Sequence, residues 1–248
     1  MIKLSKKRKK RKRKLKIKNI LIFLFVILFL GSVGYYIIMS PIKNIYIEGN
    51  NILTDEIIIE EAKIDSYPSF LLTSSFKLKR NLKNNKYIKK VRIKKKLGNI
   101  LEIKIDEYST IVSLDNNTRL MLSNGDIVDN VYNVTDLAVL NNQIPKEKVN
   151  LFARKFAKIN RDILRQISQI DYQPVKVDSE RFLLYMDDGN LVYITLTKID
   201  KLNKYNKIKG KIVGKTGVIY LDSGDYIELK DNKSVLKKEE DNKENEEH

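Results

Sequence analysis

Apolar residues run unbroken from Ile20 to Leu30, eleven consecutive Ile, Leu, Phe or Val inside an uncharged stretch from Asn19 to Ile42. Such a run predicts a membrane-spanning helix, because about 20 helical residues cross ~30 Å of hydrocarbon. At roughly 0.3–0.6 kcal/mol each, those residues alone favour insertion by about 3–7 kcal/mol. After Pro41, which stops the helix, the period changes. Ile45 and Ile47 alternate with polar neighbours ahead of Gly49-Asn50-Asn51, which predicts a half-buried strand and a turn. Thr54 followed by Asp55 and Glu56 predicts a capped helix start, with Ile58 and Ala62 on one face. Tyr67-Pro68 and Leu71-Leu72 read as loop, and a second helix is expected from Ser75 to Asn84, with Phe76, Leu78 and Leu82 as its apolar positions. Val91 and Ile93, and after Gly98-Asn99 the series Leu101, Ile103 and Ile105, alternate with charged residues as strands with one buried face do. The expected order is strand–helix–helix–strand–strand.

Beyond Tyr108 the pattern turns mostly β. Leu120–Val128 surrounds Asn124-Gly125, a tight-hairpin signal. Phe182–Met186 and Leu191–Leu196 flank Asp187-Asp188-Gly189-Asn190, and Val218–Leu221 and Tyr226–Leu229 flank Asp222-Ser223-Gly224-Asp225. Between the first two hairpins one long amphipathic helix is predicted from near Pro145. Its apolar residues Val149, Phe152, Phe156, Ile159, Ile163, Ile167 and Ile170 recur at three- and four-residue spacing and should pack on the sheet. A shorter helix is expected from Lys198 to Ile208.

Charge sets the topology. Of the formal +17, the first eighteen residues hold +12, and the tail from Asp231 to His248 holds −3. A basic run beside a span stays cytoplasmic, so the remainder is delivered outside. The run is read as an orientation device on anionic headgroups rather than a nucleic-acid arm. A cleaved signal peptide is the alternative. It is disfavoured because no A-x-A-like site follows the apolar core and apolar residues resume at Tyr35–Met39. The fold class is therefore a single-pass membrane protein with an α+β extracytoplasmic region. Its parts are a basic cytoplasmic tail (1–18), a transmembrane helix (19–40), a first α+β domain (41–109), a mostly β domain with one long amphipathic helix (110–230) and a disordered charged tail (231–248).

Candidate chemistry is sparse. There is no cysteine, the single histidine is His248, and no phosphate-loop, nucleophile-elbow or metalloprotease motif occurs. These absences point away from an enzyme, and no catalytic residue, metal or cofactor is expected.

The arrangement resembles the bacterial cell-division family called FtsQ in some bacteria and DivIB in others. Ile45–Asn50 followed by Thr54-Asp55-Glu56 resembles the opening of that family's POTRA domain, and Tyr87–Ile93 with Leu101–Tyr108 resembles its closing strand pair. Leu120–Val128, Val149–Ile170 and Val218–Leu229 resemble parts of its β domain, in order. The resemblance implies a non-enzymatic divisome scaffold at the septum. Its implied partners are FtsL-like and FtsB/DivIC-like single-span division proteins, and it implies a role in regulating septal peptidoglycan synthesis. It further implies that the end of the β domain offers a sheet edge to a partner segment, which on this chain selects Val218, Tyr220, Leu221, Tyr226, Ile227 and Leu229.

A second candidate site comes from the residues themselves. From Lys77 to Lys96 there are eleven Lys or Arg and no acid, among them Lys77, Lys79, Arg80, Lys83, Lys89, Lys90, Arg92, Lys94, Lys95 and Lys96. As a functional patch this run would serve a generic membrane-anchored adaptor for anionic wall polymer or lipid headgroups; as an ordinary surface it is a solvated helix edge and outer sheet face. Nucleic acid is not expected, since no base-stacking aromatic cluster accompanies the charges. A POTRA-bearing transporter, which would carry a downstream barrel of alternating ~10-residue segments, is disfavoured, because the roughly 120 residues after the first domain are interrupted by the long predicted helix.

Overall fold

A computed structural model of the chain describes residues 17–229; the basic run up to Lys16 and the charged tail from Asp231 lie outside the described residues. Helix α1 (Ile17–Met39) is long and apolar enough to cross a membrane, and none of its residues is buried.

The first domain holds β1 (Asn44–Glu48), α2 (Asp55–Ala62), α3 (Ser75–Leu82), β2 (Ile88–Lys96) and β3 (Ile100–Glu107). Its sheet runs β1-β3-β2: Ile45 pairs with Leu101 in a parallel ladder, and Ile93 with Ile103 in an antiparallel one. One face buries Val91, Leu101, Ile103 and Ile105 against Ile58 and Ala62 of α2 and Leu78 and Leu82 of α3. Phe76 is a correction to the expected helix face: it is 75% exposed. It lies two residues before the buried Leu78, at a spacing that cannot share a helix face.

Thr54 caps α2 by accepting from the Ile57 N–H. Replacing it with Ala should lower stability by about 1 kcal/mol, read as a lower urea midpoint in circular dichroism of the detergent-solubilised chain. The loop before α2 is held by Glu107, whose carboxylate accepts the N–H groups of Asn51, Ile52 and Leu53 at 3.0, 2.8 and 3.0 Å.

The second domain contains β4 (Thr110–Leu114), β5 (Arg119–Leu122), β6 (Ile127–Asp129), β7 (Val139–Leu140), α4 (Lys146–Phe156), α5 (Arg161–Leu164), β8 (Ile167–Tyr172), β9 (Arg181–Met186) and β10 (Leu191–Thr195). A 3-10 helix (Leu196–Lys204), α6 (Tyr205–Lys209), β11 (Gly217–Tyr220) and β12 (Tyr226–Leu229) complete it. Among the described residues, nine strands form one sheet in the order β12-β11-β10-β9-β8-β7-β4-β5-β6. Phe152 and Phe156 of α4 pack against Phe182 of β9 with ring centroids 5.1 and 6.1 Å apart, at the centre of this domain's core.

The predicted long helix is two short helices and a strand. The N–H of Asn160 donates to Asn203 at 2.7 Å, and its extended ψ of 134° interrupts the helix between α4 and α5. Ile167 and Ile170 then sit on β8, both buried. A bulge between Ile167 and Gln169 sets two residues opposite one on β9, so residues three apart face the same way and mimic a helical stripe. The stripe nonetheless packs as expected, in one core with Phe152, Phe156, Ile159 and Ile163. The region expected as a helix from Lys198 to Ile208 begins as 3-10 turns and becomes α-helical only at Tyr205. The first two hairpins have three-residue loops closed by Gly125 (φ +92°) and Gly189 (φ +81°).

Candidate functional site at the free sheet edge

The two ends of the nine-stranded sheet are treated differently. At β6, Val128 is buried in the first domain's core. The Tyr87 hydroxyl donates to the Asp129 carbonyl at 2.9 Å, and Tyr87 meets Tyr132 edge to face at 5.0 Å. That end is thus bonded to the first domain, although Ile127 and Asp129 themselves stay exposed. At the other end, β12 has a single neighbour among the described residues, β11. An edge strand of this kind carries a row of unpaired backbone N–H and C=O groups, a template for another strand.

The ladder fixes which side chains face which way. Tyr220 pairs with Tyr226 and with Tyr193 of β10, so three rings stand in register across three strands. They stack at 5.2 and 4.5 Å, and the Arg181 guanidinium covers the far side of Tyr193 at 3.9 Å. Arg181 is held in turn by Asp222 at 2.7 Å. Burial works against ionisation of Asp222, but the hydrogen bond and charge of Arg181 outweigh it and keep this carboxyl below its ordinary value. The stack braces the sheet out to its last strand, where Tyr226 is 45% exposed. Val218 and Glu228 share this face, paired with each other.

The opposite face carries Ile219 and Leu221, both buried, then Ile227, partly covered, and Leu229, exposed. Ile219, Leu221 and Ile227 line a groove of about 340 Å³ against the 3-10 helix and α6, rimmed by Lys201, Lys204, Lys207 and Lys211. Lys201 is paired with Asp225. Of the six residues selected from the sequence, the ladder thus places Val218, Tyr220 and Tyr226 on an aromatic face and Leu221, Ile227 and Leu229 on the opposite one; Leu221, Tyr226 and Ile227 border the groove.

A polar knot behind β11 carries no sequence motif. The carboxamide of Asn190 donates to Asp188 and to the Tyr205 hydroxyl, both at 3.0 Å, and accepts the Gly217 N–H at 2.8 Å. Tyr205 donates to Asp188 at 2.8 Å, and Lys209 pairs with the same carboxylate at 2.9 Å. Burial, reinforced by the neighbouring carboxylates, pushes the Tyr205 phenol up. This knot ties the start of β11 to the β9–β10 turn and so positions the edge. The one trace in sequence is Asn190, a polar residue where the turn after Gly189 already suffices.

The basic run is divided. Val91 and Ile93 face the helices, so Arg92, Lys94 and Lys96 occupy the opposite side of the sheet from α3, which carries Lys77, Lys79, Arg80 and Lys83. On β3, Asp106 lies 3.6 Å from Arg92, and Glu102 pairs with Lys96. Lys89 and Lys90 are exposed at the start of β2. Lys95 turns inward: its ammonium donates to the carbonyls of Phe70 and Leu71 and sits 5.0 Å over the Phe70 ring, and burial lowers its pKa.

An apolar N-terminal helix, a three-stranded α+β domain and a β-rich domain whose final strand has one neighbour among the described residues define the architecture. A family model described as "POTRA domain, FtsQ-type" matches residues 40–108, and one described as "Cell division protein FtsQ/DivIB, C-terminal" matches residues 110–230. Cell division protein DivIB of Bacillus subtilis (strain 168) is 30% identical over 211 residues, covering 82% of this chain and 80% of that protein. DivIB of Bacillus anthracis is 31% identical over 194 residues, covering 76% and 73%. A solved structure of the major extracytoplasmic domain of the trans isomer of DivIB from Geobacillus stearothermophilus overlaps 42% of this chain and 93% of its own, at a TM-score of 0.36 and 22% identity. The chain belongs to the FtsQ/DivIB family of cell division proteins.

Proposed function

We propose that this protein is a non-enzymatic scaffold of the division machinery. α1 anchors it in the cytoplasmic membrane, with the Lys/Arg run inside and both domains outside. At the septum it binds FtsL-like and FtsB/DivIC-like single-span proteins and so helps regulate septal peptidoglycan synthesis. The observation that carries this reading is the asymmetry of the nine-stranded sheet: at one end β6 is bonded to the first domain through the Asp129 carbonyl, while β12 is braced by the tyrosine stack and has no outer neighbour among the described residues. A partner segment added there gains backbone hydrogen bonds, and its alternate side chains meet the aromatic face on one side and the lysine-rimmed groove on the other. A segment alternating aromatic or apolar with acidic residues fits both. The adaptor reading has less support, because the basic run is split between two faces and two of its members pair with β3 acids.

Crosslinking in growing cells, followed by identification of the captured proteins, tests the scaffold reading; recovery of no division protein would overturn it. Lysines at the exposed positions Tyr226 and Leu229 test the edge without disturbing the buried Leu221. The double variant should keep its fold and capture about tenfold less partner, since hot-spot anchors at an interface are worth more than ~1 kcal/mol each. Undiminished capture would place the partner elsewhere.

A further inference from the structure

We propose that the base of the first domain sits in the outer interfacial layer of the bilayer, with Leu71, Leu72, Phe76 and Leu97 touching lipid; this rests on α1 being a membrane span. Two loops are bonded directly to the end of that helix. In the first, the Ser69 hydroxyl donates to the Ile38 carbonyl in the last turn of α1, the Phe70 N–H to the Ser40 carbonyl at 2.9 Å, and the Pro68 carbonyl accepts the Ile42 N–H at 3.0 Å. In the second, Asn99 donates through its carboxamide to the Ser40 hydroxyl and the Pro41 carbonyl, and its own carbonyl accepts the Lys43 N–H at 2.9 Å. Neither loop can stand away from the point where the chain leaves α1.

These same loops carry apolar side chains that the domain leaves uncovered. Leu97, at the tip of the β2–β3 turn, is 97% exposed; Leu72 is 63% and Leu71 52% exposed, and Phe76 follows in the first turn of α3. Their neighbours Ile64, Phe70 and Leu78 are buried, so this end of the domain has its own core and does not draw on the exposed set. Exposed apolar groups gathered at one end of a domain mark a surface that is covered in use. Here the cover is identified by continuity with the span. Tyr35 and Tyr36, exposed on α1, are interfacial anchors by type. At 1.5 Å per residue, Ser40 lies only about 6 Å further along the axis. Loops bonded to Ile38 and Ser40 are therefore at headgroup depth, where leucines reach the acyl boundary and the exposed Lys77 can lay its aliphatic stem on the apolar layer with its ammonium at the phosphates. Lys95 acquires a role in this arrangement: bonded to the carbonyls of Phe70 and Leu71, it holds the first loop with its leucine pair outward.

The chain contains no cysteine, so single cysteines introduced at Leu72, Leu97, Phe25 and Val177 give unique labelling sites for an environment-sensitive fluorophore. The full chain is reconstituted in vesicles of phosphatidylcholine and phosphatidylglycerol, and nitroxide-bearing lipids and aqueous iodide are compared as quenchers. Labels at 72 and 97 should be quenched about twofold or more by the shallow nitroxide lipid, while the label at 177, on an exposed loop of the second domain, is quenched only by iodide. Quenching at 25 but not at 72 or 97 would overturn the seated base and leave the span intact. Shielding from iodide at 72 and 97 without lipid quenching would mean that protein covers this surface, and would also overturn it. Absence of lipid quenching at 25 would remove the span and the inference together.

Discussion

Asn190→Ala is expected to lower the stability of the second domain by about 2–4 kcal/mol, the largest loss we anticipate from any single polar side chain here. Asn190 is 3% exposed, and its carboxamide is the acceptor of the Gly217 N–H and a donor to both Asp188 and Tyr205. Truncation leaves a buried backbone donor without an acceptor and strips a partner from a buried phenol, each costing roughly 1–3 kcal/mol. The thermal midpoint should fall by about 5–10 °C. Tyr205→Phe should cost less, because Asp188 retains Lys209 and the N–H of Asn190 at 3.1 Å. The knot also predicts acid sensitivity. Burial opposes ionisation of Asp188, but hydrogen bonds from Lys209, Tyr205 and Asn190 outweigh it and hold the carboxyl below its ordinary value. A carboxyl lowered in the folded state stabilises the fold fully above its unfolded pKa of about 4, and this contribution is lost as pH falls through that value and below. Urea midpoints at pH 7 and pH 3 measure it, and Asp188→Asn should flatten the difference.

Strands of plain alternation were legible in the chain because one face is core and the other water. Ile45 and Ile47, and Leu101, Ile103 and Ile105, keep period two without interruption. β8 was not legible, since its bulge gives Ile167 and Ile170 a helical spacing. β7 is only two residues long and shows no period at all. Phe76 misled for a different reason: apolarity alone assigns a side chain to a core, whereas its place at the foot of the domain suits another environment. At the candidate site, both strands of the last hairpin were legible but not the division of their side chains between faces, which depends on the register with β10. The knot of Asn190, Tyr205 and Gly217 joins residues 15 and 27 apart by tertiary approach, which no local pattern encodes. The acid-free basic run had its counter-ions across the ladder on β3, at Glu102 and Asp106.

Gly217→Ala should detach the edge strand while sparing most of the fold. A Cβ at Gly217 would lie 2.5 Å from the carbonyl oxygen of Glu228 and 3.4 Å from its carbonyl carbon. Both atoms belong to the backbone of β12, so no rotamer change relieves the overlap and the strand itself must shift. The ladder breaks first where Gly217 faces Leu229 and Val218 faces Glu228, and Ile227 loses its packing on the core. Overpacking of this kind costs about 1–3 kcal/mol. Here the cost is concentrated on a four-residue strand with one neighbour among the described residues, so it shows locally before it shows globally. Amide hydrogen exchange should accelerate across Tyr226–Leu229 and leave β8–β10 and the first domain protected. Gly210→Ala is the control, since a Cβ there meets nothing closer than 3.5 Å and that glycine has ordinary backbone angles. If a partner strand builds on β12, Gly217→Ala should abolish capture of division proteins even in cells where the chain accumulates normally, because the template is displaced rather than the domain unfolded. Accelerated exchange with capture intact would separate binding from the edge and move the partner surface to another face of the second domain.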